Sequence, residues 1–439
     1  MKTAVLAVTA SLAIAMTSTC VAGTYTVLRT DRLVAIPGES VPTSATVLIE
    51  ANRIAEIREG QISDAALGEE GHEIAASYDL AGKTVFPGFI DGHVHITFEN
   101  NSQQRLQAVQ LSTSDFAMLG AHHARKTLMA GFTTIRDVGG DQEAVQALRT
   151  ASANNYVPAP RIVTASVVGI TGGHSDGSQG YIEEIAHMLD TERMCNGGDD
   201  CRRATRWLIA RGADGIKITA TGGVLSNTAT GVGQQMMDDE LTSVVEAARA
   251  YGRDVTAHAH GTAGVNAALL AGVRTIEHGT YADDASFRLF KRRDAFLVPT
   301  ILAGETVTEI AASPNSFLTP PQAAKALEVG PQIKAMVREA HAAGVKIAFG
   351  TDSGVSRHGE NAREFGLMVE AGMTPEEAIR SATVVGSENL RMENDIGTIE
   401  VGKFADIVAV DGDPYDDVTI LEAAVSFVMK DGNVFKSPR

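Results

Sequence analysis

Two rhythms of apolar positions alternate through the middle of the chain. Strand-like apolar runs recur at residues 85–95, 133–137, 161–168, 215–219, 254–260, 274–278, 295–300 and 345–352. Helical patterns lie between them. Residues 238–252 open on acidic side chains and stop at Gly252. Thr374 to Glu377 reads as a capping box with Pro375 at the first helical position. Eight strand–helix units predict an α/β fold, a (β/α)8 TIM barrel. A doubly wound open sheet is the structural alternative. No Gly-x-Gly-x-x-Gly follows a first strand, which disfavours a dinucleotide fold.

Both chain ends carry short alternating strands instead. These are residues 25–29, 45–50 and 53–57 at one end, and 406–410 and 425–429 at the other, with a hairpin signal over 430–433. Neither end has enough strands for an independent domain. The expected organisation is a leader over 1–22, a small β-sandwich domain built from 23–84 and 395–439, and a barrel over 85–394.

The leader has Lys2, an apolar run from Ala4 to Met16 that is short for a membrane span, and small residues up to Ala22. That is the pattern of a secretory signal peptide, so an exported protein, periplasmic or secreted, is expected. A lipid anchor at Cys20 is the competing reading. After cleavage Cys195 and Cys201 remain, flanking a turn-rich loop, and in an oxidising compartment they can pair. Formal net charge is −17 over 439 residues, which argues against nucleic acid and anionic membranes as partners. A small-molecule substrate and a homo-oligomeric state are expected.

In a barrel, chemistry sits at the C-terminal ends of the strands. Polar residues fall there. The first strand ends in His93 and His95, two apart and therefore on one side of an extended chain. Lys217 lies between Ile216 and Ile218; His258 and His260 end the fifth strand; His278 ends the sixth; Asp352 ends the eighth. Singly, each reads better as a satisfied core histidine, a snorkelling lysine or a helix cap. Together they would be costly to bury without a compensating ion.

This order, His-x-His, Lys, His, His, Asp, resembles the amidohydrolase superfamily with a binuclear metal centre. The resemblance runs from the N-terminal β segment to residues 397–407. It implies that His93, His95 and Asp352 hold one divalent ion, and His258 and His278 the other. It also implies that Lys217 bridges both as N6-carboxylysine. A cationic lysine cannot sit between two cations, whereas a carbamate offers each an oxygen. Zinc suits these ligands, with manganese or cobalt as substitutes. Asp352, Lys217 and His278 are the expected catalytic residues, Asp352 moving the proton of a metal-activated water.

Three Gly-rich loops at the same rim suggest the substrate-binding residues His174, Gly223, Val224, His260, Arg357 and His358. Arg357 or His358 would bind a carboxylate, though Arg357 reads equally as a surface cation. The loops resemble prolidase-like enzymes and carboxypeptidases that release a C-terminal amino acid, a group that includes ochratoxin-degrading amidohydrolases. The implied activity is amide hydrolysis of a dipeptide or N-acyl amino acid, with ochratoxin A as one candidate. A cyclic amide hydrolase, a deaminase and a non-catalytic scaffold are the competing readings. Deaminases of the superfamily generally lack the bridging lysine, and scaffolds lose ligands.

Overall fold

The computed structural model describes residues 23–39, 41–189, 191–226 and 231–438. The expected leader, with Cys20, lies outside them. Eight parallel strands form a curled sheet: β1 Phe89–Val94, β2 Phe132–Asp137, β3 Arg161–Ile170, β4 Gly215–Thr219, β5 Val255–Ala259, β6 Thr275–His278, β7 Phe296–Val298 and β8 Lys346–Ile347. Each pairs with its neighbour in sequence order. β1, β2 and β5 are buried at every position. Helices cover one face and opposing strands the other, which is why burial in these strands is continuous and not alternating.

Beyond β8 the chain runs on beside β1. Gly92 N–H donates to Phe349 O at 2.9 Å, Asp352 N–H to His93 O at 2.8 Å, and His95 N–H to Ser353 O at 2.7 Å. These bonds bring the last strand's end against the first, in the manner of a TIM-like barrel.

The strand expected over 85–95 is two strands. Lys83–Pro87 belongs to the chain-end sheet, pairing with Ile407–Asp411 and with the end of Thr24–Leu33. The chain crosses into the barrel at Gly88, whose N–H donates to Asp406 O at 2.8 Å. A Cβ on Gly88 would drive into the Thr133 side chain, so only glycine allows this close approach.

The chain ends do meet. Their strands run in the order Asn433–Lys436, Val425–Lys430, Ile407–Asp411, Lys83–Pro87, Thr24–Leu33, Thr43–Glu50, Arg53–Glu59, with Glu73–Asp79 also paired to Thr24–Leu33. The strands are hydrogen-bonded into one connected sheet, forked at Thr24–Leu33. Leu28, Val47, Ile49, Val85, Ile407 and Phe427 from both ends share its apolar core. Glu73–Asp79 escapes the sequence pattern because its Ala-Ala-Ser centre is poorly β-prone.

The helix signals hold. Asp238–Ala250 forms a helix. Thr374 caps Pro375–Ser381, and Glu377 answers the Thr374 N–H at 2.8 Å. Cys195 and Cys201 form a disulfide. It ties a short strand beside the end of β3 to the helix Gly198–Ala210. No helix among the described residues is long and apolar enough to cross a membrane.

Candidate metal centre

β1, β4, β5 and β6 aim their last polar residues into one cavity of about 570 Å³. His93, His95, Lys217, His258, His260, His278 and Asp352 all line it. Sheet register explains the convergence: Thr219 lies beside His258, and Ala259 beside His278. Donor atoms gather in two groups, each within 4.8 Å: His93, His278 and Asp352, and His258, His260 and His278. His95 Nε2 adds a contact of 3.1 Å to Asp352 Oδ1. His260 thus stands among the donors, not behind them. His278 and Asp352 both have left-handed backbones, φ 69° and 57°. For non-glycine residues that is strained, and such strain gathers at functional sites.

The rings are oriented from behind. His93 Nδ1 lies 2.6 Å from Glu277 Oε2, His95 Nδ1 2.6 Å from Gly139 O, and His278 Nδ1 2.7 Å from Thr300 Oγ1. A carbonyl can only accept, so His95 donates from Nδ1 and keeps its Nε2 lone pair for the cavity. His258 is reversed: its Nε2 faces Gly222 O at 3.3 Å, which leaves Nδ1 inward. Such outer partners fix the tautomer and direction of metal-binding imidazoles.

Burial holds the His258 and His278 imidazoles well below their ordinary range, and neighbouring imidazoles lower them further. Burial likewise lowers His174 to about 4 and His260 to about 3. These rings are neutral at pH 7. Burial lowers the Lys217 amine to about 8, against the upward pull of Glu277 and Asp352.

The donor chemistry fits metal ions. Asp352 Oδ1 is buried and has no hydrogen-bond partner. It sits 3.1 Å and 3.4 Å from the Nε2 atoms of His95 and His93. With Nδ1 engaged on both rings, lone pairs face a carboxylate oxygen, an arrangement that a shared cation stabilises.

Of the expected substrate residues, His174, Val224 and His260 line the cavity. Gly223 packs beneath His174, where a Cβ would enter the imidazole. Arg357 and His358 do not line it, so their expected role at a carboxylate is corrected. The turn after Asp352 folds back under the loop that follows β1. Arg357 is thereby left exposed. His358 is buried, its Nε2 2.9 Å from Phe98 O and its ring stacked on His123 at 4.4 Å.

The sequence reading missed Glu277, which is fully buried and joins His93 to Arg136, Nη2 lying 2.8 Å from Oε1, and to Thr256. A glutamate and an arginine inside two apolar strands were the available signal. It also missed Arg105 and Arg193, which line the cavity.

A family model described as the amidohydrolase family matches residues 84–435. The chain belongs to that family and is a hydrolase acting on C–N bonds. Among curated proteins it is 30% identical to an ochratoxinase from Aspergillus niger, covering 92% of this chain and 85% of that protein. The crystal structure of A. niger ochratoxinase superposes with a TM-score of 0.82 at 27% identity, covering 94% of this chain and 96% of that one. A Xaa-Pro dipeptidase with methionine bound in its active site gives a TM-score of 0.87 at 38% identity, covering 94% and 100%. The chain therefore falls in the prolidase and ochratoxinase group of the superfamily.

Proposed function

We propose that this enzyme hydrolyses the amide bond to a C-terminal amino acid in dipeptides or N-acyl amino acids, ochratoxin A being one candidate. The observation that carries it is the convergence of the imidazoles of His93, His95, His258, His260 and His278, Lys217 and the unpartnered Asp352 oxygen on one cavity. His93, His95 and Asp352 would hold one divalent ion, His258 and His278 the other, with His260 beside the second. Burial lowers the Lys217 amine to about 8, which favours the neutral form that adds carbon dioxide and releases a proton. The resulting carbamate would bridge the two sites. When bound, the ions supply a Lewis acid for the amide carbonyl and acidify a water molecule. Asp352 would take a proton from the attacking water and deliver it to the departing amine. Glu277 would keep the His93 ring oriented through Nδ1.

The cavity walls favour an acylated amino acid. The lining includes the apolar Val224, Leu225, Val307, Phe317, Leu318 and Ile333, and the basic Arg105 and Arg193. Arg105 donates Nη1 to Gln179 O at 3.2 Å and stacks on the Tyr181 ring at 4.2 Å. In this reading the leaving amino acid's carboxylate meets the arginines, and the acyl group the apolar side chains. Methionine in the active site of the similar dipeptidase supports a product of that kind. Export is also proposed, and the Cys195–Cys201 bridge suits an oxidising compartment.

The test is a hydrolysis screen of N-acyl amino acids and dipeptides varied at the C-terminal residue, beside their C-terminal amides and a set of cyclic amides. Free-carboxylate substrates should be preferred. Preference for cyclic amides would favour an imidazolonepropionase-like activity and refute the proposal.

A further inference from the structure

The helix Ile301–Ala312 begins without the cap its sequence offers. Thr300 stands at the N-cap, where a threonine hydroxyl ordinarily accepts from an N–H two or three residues on. Here the hydroxyl makes no capping bond. It lies 2.7 Å from His278 Nδ1 instead. Thr300 also holds a left-handed backbone, φ 54°, an unfavourable region for a β-branched residue. The whole residue is buried.

The helix's first N–H groups are answered from elsewhere. Glu364 accepts from Ile301 N at 2.9 Å and from Leu302 N at 2.7 Å. It is fully buried and 63 residues away in sequence from Ile301. Its two oxygens answer N–H groups that a helix N-terminus otherwise leaves unpaired. Its placement has a consequence for Thr300. With the helix end capped from outside, the Thr300 hydroxyl has no need to turn inward and is left for the imidazole.

We propose that Glu364 is a positioning residue for His278, acting through Thr300. By capping Ile301–Ala312 it holds Thr300 in its left-handed conformation, and the Thr300 hydroxyl then holds the His278 ring through Nδ1 with Nε2 directed into the cavity. The inference rests on His278 being a metal ligand. Without Glu364, Thr300 relaxes to cap its own helix, and the His278 Nδ1 loses its partner.

The experiment is zinc affinity, measured by competition with a chromophoric chelator, on the full-length protein. Wild type is compared with Glu364→Ala, Thr300→Val, Thr300→Ser and the Glu364→Ala/Thr300→Val double variant, with thermal melting in parallel. Loss of an outer partner of a metal-binding histidine weakens metal binding by about 10–100-fold. Glu364→Ala and Thr300→Val should each show that loss. The double variant should be no worse than the weaker single, because both act on one bond. Thr300→Ser, which keeps the hydroxyl, should bind as wild type does. If Glu364→Ala does not fold, Glu364→Gln keeps one acceptor and should weaken binding by an intermediate amount. A Glu364 variant that melts earlier yet binds zinc as tightly as wild type is a plain helix cap and overturns the proposal. Losses that multiply in the double variant overturn it too. A wild-type protein that binds no zinc would instead overturn the reading of the cavity as a metal centre.

Discussion

Replacing Glu277 with glutamine should loosen both the barrel interior and the metal centre. The change keeps shape and removes one charge. Glu277 is fully buried. One oxygen lies 2.6 Å from His93 Nδ1, the other 2.8 Å from Arg136 Nη2. Burial would raise its pKa, but Arg136 and then His93 pull it from the ordinary 4.5 to about 2. That depression corresponds to about 3 kcal/mol of stability. Breaking one side of a buried ion pair costs about 3–5 kcal/mol in general, so the two routes agree. The pH dependence has a definite sign. A carboxylate with a depressed folded-state pKa stabilises fully above about 4.5, and the contribution fades as pH falls towards about 2. Urea unfolding at pH 7 of wild type and Glu277→Gln should differ by about 3–5 kcal/mol, and the gap should narrow on acidification below about 4.5. Chelator competition should show zinc affinity down by about 10–100-fold, because His93 loses its orienting anion. Equal stability at pH 7, or a gap that widens as pH falls, would refute the reasoning.

Other outcomes follow from the same geometry. Lys217→Ala and Asp352→Ala should each abolish amide hydrolysis, and steady-state rates near wild type in either would contradict the proposed chemistry. Arg105→Met should raise KM for free-carboxylate substrates while leaving their C-terminal amides unaffected, whereas Arg357→Ala should change neither; kinetics on matched acid and amide substrates check both. Gly223→Ala should slow turnover by displacing the His174 ring, and a crystal structure of the variant should show that shift. Reducing the Cys195–Cys201 disulfide should lower unfolding stability by about 2 kcal/mol, as expected for closing so short a loop; identical melts with and without reductant would contradict it.

The barrel was legible because strands covered on both faces must be apolar throughout, and seven of the eight stand close to where the apolar runs placed them. The exception was the first, where a run continuous in sequence is divided in space by Pro87 and Gly88. Burial pattern cannot show which of two sheets a strand joins. The inward polar residues were legible for a related reason: charge at the end of an apolar strand is costly and therefore conspicuous. Glu277 was equally conspicuous in composition, but its partners His93 and Arg136 come from β1 and β2, and only the closed sheet brings them near. Arg357 and His358 show the converse. Their position after β8 suggested the rim, yet the direction in which a loop folds depends on contacts such as His358 with Phe98 and His123. Glu364 lies on a helix, Arg363–Glu370, with an unremarkable amphipathic pattern. Nothing local distinguishes a glutamate that caps another helix from one facing solvent.

The most direct test is elemental analysis of the purified wild-type enzyme, coupled to amide hydrolysis before and after exhaustive chelation. Two divalent ions per chain, loss of activity with their removal and recovery on adding zinc are the expected result. Full hydrolytic activity in protein stripped of metal would contradict the account.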